Sequence, residues 1–172
     1  IMAGLYFKKD VPFRDVYFTS IIRDEKGRKM SKSLGNSPDP LEVISQFGAD
    51  ALRFTIIYLA PLGQDVRFTT AQCELGRNFA NKVWNAGRFL LMHTEGLSIT
   101  SQWTDKHADA ADYWILSRLH KTLQQLEDVL GKLEINISSK IVYSFIWNDF
   151  CDWYIELIKS KLYSEDTEIK SA

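Results

Sequence analysis

The stretch that decides the fold is Arg28-Lys29-Met30-Ser31-Lys32-Ser33-Leu34-Gly35-Asn36-Ser37-Pro38-Asp39-Pro40, where one kind of chain gives way to another. Upstream, Asp15-Val16-Tyr17-Phe18-Thr19-Ser20-Ile21-Ile22 is rich in β-branched and aromatic residues and reads as a strand. Pro12 precedes it and the charged turn Asp24-Glu25-Lys26-Gly27 follows it. The run from Arg28 to Asn36 is polar and basic and shows neither strand nor helix periodicity, so it reads as a loop. At Asp39-Pro40 the pattern changes. An acidic N-cap with proline at the first helical position starts a helix. It runs to about Phe47, where Gly48 stops it.

Downstream the chain reads as helical throughout. A second helix spans Ala49 to about Ala60 and ends before Pro61-Leu62-Gly63. Thr69-Thr70, with Glu74 downstream, opens a long helix to about His93. Its apolar positions Phe79, Val83, Ala86, Phe89 and Leu90 recur at helical spacing. A polar linker follows from Glu95 to Ala108, with Gly96, Ser98, Ser101 and Thr104. The next helix runs from about Asp109 to Leu130, with Trp114, Leu116, Leu119, Leu123, Leu126 and Leu130 as its stripe and Gly131 as its breaker. The last covers about Ile137 to Tyr163 and carries Val142, Phe145, Ile146, Phe150, Trp153, Tyr154, Leu157 and Ile158. The expected class is mainly α: a small α/β remnant over residues 1–62, then an antiparallel helical bundle over 63–172.

The bulk composition narrows the function classes. At 172 residues, 45% hydrophobic and 25% charged, the chain is globular rather than disordered. A net charge of −1 gives no global attraction to nucleic acid. Local balances differ: residues 1–38 hold eight basic and four acidic side chains, and Arg77 to Arg88 holds three basic residues and no acid. The tail from Cys151 onward is acidic. Cys73 and Cys151 show neither metal spacing nor a disulfide framework, which points to a reducing, cytosolic compartment and no metal site. No apolar run approaches the ~20 residues of a membrane span, and no secretory leader is visible. A start at Ile1 without an initiator Met reads as an excised piece.

The strongest chemical signal is Lys29-Met30-Ser31-Lys32-Ser33. Two lysines three apart on a loop, with two hydroxyls and Gly35 beyond, make a mobile cationic clamp. Such a clamp suits a reaction whose leaving group gains negative charge, as when a carboxylate attacks the α-phosphate of ATP and pyrophosphate departs. Gly27 and Gly35 are candidate hinges. The plain alternative is a solvated basic loop.

These five residues match, without a substitution, the KMSKS signature of class I aminoacyl-tRNA synthetases. Asp39-Pro40-Leu41-Glu42-Val43-Ile44 and Phe47-Gly48-Ala49-Asp50-Ala51-Leu52-Arg53-Phe54 resemble the segment after that loop in the Val/Ile/Leu branch. Pro61-Leu62-Gly63-Gln64-Asp65-Val66-Arg67-Phe68, Arg77-Asn78-Phe79-Ala80-Asn81-Lys82-Val83-Trp84-Asn85-Ala86 and Phe145-Ile146-Trp147-Asn148-Asp149-Phe150-Cys151-Asp152-Trp153-Tyr154 resemble the valyl type most. The resemblance implies the end of a catalytic domain followed by an anticodon-binding domain. It implies that Lys29 and Lys32 stabilise the pyrophosphate during adenylation, that Ser31 and Ser33 shape the loop, and that Met30 lies against the adenine side of the ATP site. For Met30, packing beneath the loop is equally open. The implied partners are tRNA(Val), valine and ATP, with ATP as a substrate and magnesium in the whole, monomeric enzyme. The family's upstream HIGH-type motif is absent, so this piece alone is expected to bind no cofactor and to be inactive. His93, His107 and His120 follow no strand and read as ordinary histidines.

Arg77, Asn78, Asn81, Lys82 and Arg88 form the best candidate RNA face. Arg77, Asn81 and Arg88 share one side of a helix, and amides and guanidinium groups suit base edges while lysine suits phosphate. A solvated helix face is the plain alternative. Phe79, Trp84 and Phe89 read as core, Asp50 and Arg53 as a local ion pair, and Trp147, Asp149, Asp152 and Trp153 as a packing corner. Two other readings stay open: an isoleucyl-type synthetase, and a free-standing helical RNA-binding or scaffold protein.

Overall fold

The computed structural model describes residues 1–96 and 108–164. Most of the expected linker, His107 and the end of the acidic tail lie outside the described residues. Helix α1 (Met2–Lys8) is followed by β1 (Ile22–Arg23), a 3₁₀ turn (Lys32–Leu34), α2 (Pro40–Phe47) and α3 (Ala49–Leu59). Next come β2 (Val66–Arg67), a second 3₁₀ turn (Thr70–Gln72), α4 (Cys73–His93), α5 (Ala110–Gly131) and α6 (Ile135–Ser144). A π-helical segment (Phe145–Tyr154) then leads into α7 (Ile155–Leu162). The class is the expected one: mainly helical, with one minimal sheet.

The start signal at Asp39-Pro40 works as read. The Asp39 carboxylate accepts from the Leu41 N–H at 2.9 Å, Pro40 occupies the first turn, and Gly48 ends α2 at φ 93°. The strand expected over Asp15–Ile22 shortens to Ile22–Arg23. A strand persists only where a neighbour takes its hydrogen bonds, and among the described residues β1 has β2 beside it and a single antiparallel bridge from Arg23 to Lys29. Strand β2 pairs in parallel, Ile22 with Val66 and Arg23 with Arg67, through N–H donation from Val66 to Ile21 and from Phe68 to Arg23. Thus β2, counted with the bundle at the expected division, is bonded to the loop-bearing part.

Beneath this ladder lies a core of Val43, Phe68 and Cys73, with Ile22, Met30, Phe47, Leu52, Ile56 and Leu59 against it. It draws on β1, the lysine loop, α2, α3 and the start of α4. Helix α4 begins with a capping box, but the partner of Thr69 is Gln72 rather than Glu74, and the first turn is 3₁₀. Helices α3 and α4 touch at Gly76. A Cβ there would sit 2.3 Å from the Ala51 carbonyl oxygen and 2.7 Å from Thr55 Oγ1. Only glycine lets the two backbones approach this closely.

An aromatic ladder ties α3 and α4 to α6 and the π segment. Phe54 stacks on Phe79 at 4.6 Å, Phe79 meets Tyr143 at 4.9 Å, and Tyr143 stacks on Trp147 at 5.4 Å. Helix α5 is held at its start. The Asp109 carboxylate caps the N–H groups of Ala111 and Asp112, and Asp112 returns the bond. The Tyr154 hydroxyl donates to Asp112 at 2.8 Å, and Lys161 bonds both aspartates.

Two expectations about faces fail. On α5 the buried residues are Asp112, Ile115 and Thr122, while Leu116, Leu119, Leu123 and Leu130 are exposed. Helix α6 and the π segment meet α5 on the side of Ile115 and Thr122, so the leucine stripe, although helical in period, faces outward. Trp84, expected in the core with Phe79, is 73% exposed. The last helix is not one α-helix either. Its middle widens into the π segment, which turns Asp149 toward Arg118 and Asp152 toward Lys82.

The Gly76 contact makes a paired prediction. Gly76→Ala should lower unfolding stability by ~1–3 kcal/mol through overpacking. Gly87→Ala, whose added Cβ meets open space in the same helix, should raise it by ~0.5–1 kcal/mol. Urea denaturation of both variants checks this. Equal effects would show that α3 and α4 do not pack as described.

Candidate functional site

The lysine loop is built in two layers. Its backbone is tied down. Asp24 and Arg28 close a turn through the Asp24 N–H to Arg28 carbonyl bond at 2.9 Å, with Gly27 at φ 77° between them. The nearly buried Asp24 carboxylate accepts from the Arg28 N–H and from its Nε, both at 2.8 Å. Asn36 spans the loop from the other side. Its amide nitrogen donates to Asp24 Oδ2 at 2.9 Å and to the Lys29 carbonyl at 3.3 Å, and its oxygen accepts from the Ser31 N–H at 2.8 Å. The Ser31 hydroxyl caps the following 3₁₀ turn, accepting from the Ser33 N–H and sharing a 2.8 Å bond with the Ser33 hydroxyl. Gly35 ends that turn at φ 61°. Met30 packs down against the Val43–Phe68–Cys73 core.

The second layer is the side chains. Lys29, Lys32 and Ser33 are exposed. Neither lysine enters an ion pair among the described residues, so both ammonium groups remain available to an anion. The arrangement presents two cations from an anchored backbone, which is what charge stabilisation needs.

The second candidate surface is the open side of α4. Asn78, Asn81 and Arg88 are exposed. Arg77 is partly turned in, lying 5.5 Å over the Phe47 ring with a 3.5 Å contact to Glu74. Lys82 faces inward: it pairs with Asp152 and lies 4.7 Å over the Trp147 ring. A pocket of about 550 Å³ along α3 and α4 is lined by Asp50, Phe54, Phe79, Val83, Trp84 and Arg88, among others. No ion pair joins Asp50 to Arg53 among the described residues. His93 packs with Phe89 and Tyr163.

Comparison with known proteins agrees with this geometry. The family described as tRNA synthetases class I (I, L, M and V) matches residues 1–69, and the anticodon-binding domain of tRNA ligase matches residues 112–172. The valine–tRNA ligase of Chlorobaculum tepidum is 54% identical over 98% of this chain and 20% of its own length. That of Fusobacterium nucleatum is 50% identical over 99% of this chain and 19% of its own length. The chain belongs to the valyl branch of the class I tRNA synthetases. It spans about a fifth of the length of these curated relatives. The LeuRS–tRNA–LeuAMS ternary complex from Agrobacterium radiobacter K84 shares the fold, with a TM-score of 0.68 at 19% identity over 94% of this chain and 24% of that one.

Within this synthetase chain, sequence reading placed the lysines and serines of the loop but missed the residues that hold them. Asp24 was read as part of a turn and Asn36 only as the loop's end. A polar residue just past the glycine of a charged loop was the one available signal. The hydrogen bond from Asn36, joined by the backbone and guanidinium donors of Arg28 and opposed by burial, lowers the Asp24 carboxyl to about 2. A carboxyl lowered on folding contributes stability above its ordinary value of 3.8 and loses it as pH falls toward the folded value. The turn should therefore hold at neutral pH and loosen only between about pH 4 and pH 2. The side-chain amide resonances of Asn36, followed by NMR against pH, should shift with a midpoint near 2. A midpoint near 3.8 would show that Asp24 lacks these donors.

Proposed function

We propose that this chain is the lysine-loop and helical part of a valine–tRNA ligase. The observation that carries the reading is the loop itself: an anchored backbone carrying two unpaired lysines, continuous with helices of the anticodon-binding family. In the proposed reaction a valine carboxylate oxygen attacks the α-phosphorus of ATP. The bond to the bridging oxygen breaks, and pyrophosphate leaves with the electron pair. Lys29 and Lys32 offset the charge that grows on the departing oxygens, with Lys32 carrying most of the effect. Ser31 and Ser33 shape the loop, and Met30 is its apolar foot at the edge of the ATP site. A ribose hydroxyl at the tRNA 3′ end then attacks the carbonyl of the adenylate, takes the valyl group and releases AMP.

For the RNA we assign Asn78, Asn81, Arg88 and, at the edge, Arg77. Lys82 is assigned instead to holding the π segment, because its charge is already met by Asp152. The proposed partners are tRNA(Val), valine and ATP, and the proposed setting is a monomeric enzyme in the cytosol. The free, buried Cys73 and Cys151 support a reducing compartment. Among the described residues no helix is long and apolar enough to cross a membrane. Magnesium is proposed to accompany ATP in the whole enzyme; among the described residues no group of three or more His, Cys, Asp or Glu is placed to hold a metal ion. The isoleucyl and scaffold readings gain no support from the relatives above.

The test is valine-dependent ATP–pyrophosphate exchange by a full-length ligase carrying this sequence. Lys32→Ala should lower kcat by ~100-fold or more, with a smaller loss for Lys29→Ala and little change in the KM for valine. Unchanged exchange in both variants would remove the loop from the chemistry.

A further inference from the structure

Asn36 sits outside the signature pentapeptide, yet it makes three contacts that no other side chain reproduces. It gives two N–H bonds, one to the Asp24 carboxylate and one to the Lys29 carbonyl, and takes one from the Ser31 N–H. Its orientation is fixed by chemistry: the nitrogen faces two acceptors and the oxygen faces a donor. Aspartate at this position would have no proton to give at neutral pH. Glutamine would carry one methylene too many. Asp24 is the counterpart: its Oδ1 accepts from the Arg28 N–H, and its Oδ2 accepts from the Arg28 guanidinium as well as from Asn36. The contacts straddle Lys29 and end on the residue before Lys32. The bonded atoms belong to the backbone of residues 29 and 31, so the lysine side chains stay free.

We propose that Asn36 and Asp24 form a clasp that positions Lys29 and Lys32 for pyrophosphate stabilisation, making them positioning residues of the lysine loop. This rests on the proposed role of the lysines. The clasp sets where the two ammonium groups begin, and thereby lowers the ordering that the loop must undergo when the nucleotide arrives. A displacement of about 1 Å in such a group costs up to ~100-fold in rate. The clasp bonds the loop's own backbone and Asp24, so its loss is expected to act on turnover and on ATP rather than on valine.

The test uses the full-length ligase carrying this sequence and four variants: Asn36→Asp, Asp24→Asn, the double exchange of both, and Lys32→Ala as a reference. Asn36→Asp sets two carboxylates against each other. It should lower kcat for ATP–pyrophosphate exchange ~10- to 100-fold, leave the KM for valine unchanged, and speed tryptic cleavage after Lys29 and Lys32. The double exchange keeps the net charge and restores one Asn–Asp bond with donor and acceptor reversed, but it gives up the Arg28 Nε bond to that position and the bond to the Lys29 carbonyl. It should recover part of the lost kcat, by removing the carboxylate repulsion, and slow the cleavage again. Recovery identifies a specific pairing, which a merely structural defect would not show.

Exchange within about twofold of wild type in Asn36→Asp, while Lys32→Ala is crippled, would overturn the clasp and leave the lysine reading standing. A loss in Asn36→Asp that comes with a raised KM for valine and no faster cleavage after Lys29 and Lys32 would also overturn it. Full activity in Lys32→Ala would sink the lysine reading, and the clasp with it.

Discussion

The close contact between Gly76 and the backbone of Ala51 is the constraint from which the rest of the structure follows. It brings the start of α4 against α3 and so places Cys73 inside the small core with Val43 and Phe68. That core in turn carries Met30 from the lysine loop and Ile22 from β1. On the other side of the same helix pair, Phe54 and Phe79 begin the aromatic ladder that reaches Tyr143 and Trp147. One backbone approach therefore sits between the lysine loop and a helical unit. A side chain larger than hydrogen at position 76 would push both away together.

The loop shows how a protein keeps cations usable. Lysines bonded to carboxylates would not be available to an anion. Here the carboxylate near the loop, Asp24, is occupied by Asn36 and Arg28. The order lies in the backbone and the charge lies in the exposed side chains. Elsewhere the chain does the reverse. Lys82 and Lys161 are paired with Asp152, Asp109 and Asp112, and they hold elements together. In those partly buried settings a pairing stabilises more than it would in open water.

Much of this was legible in the sequence. The Asp39-Pro40 start and the Gly48 stop are local signals, and each works as read; the fifth helix likewise begins at about Asp109, where the structure shows a cap. The lysine pentapeptide is also local, and so was its family. What local signals do not carry is the choice of face. The leucines of α5 have a perfect helical period, but partners lie on the side of Ile115 and Thr122. Trp84, read as core with Phe79, lies five residues on and off that face, and it is left outside. The strand before the loop shrank because a strand is made by its neighbour. The π segment was equally invisible. No local signal marks it, and its partners Arg118, Lys82 and Asp112 lie far away in sequence. The same holds for Asn36, whose role depends on Asp24 twelve residues earlier.

The most direct test asks whether the loop mount and the helices are one body. Native-state hydrogen exchange reads this residue by residue. The amides of Val66 and Phe68, which donate to Ile21 and Arg23, report on the ladder beneath the lysine loop. The amides in the middle of α3 and α4 report on the helical contact. A single cooperative unit predicts that the two sets open with the same free energy, to within ~1 kcal/mol. Rapid exchange of Val66 and Phe68 at several kcal/mol below a still-protected α4 would contradict it. The lysine loop would then ride on a mount that the helices do not hold.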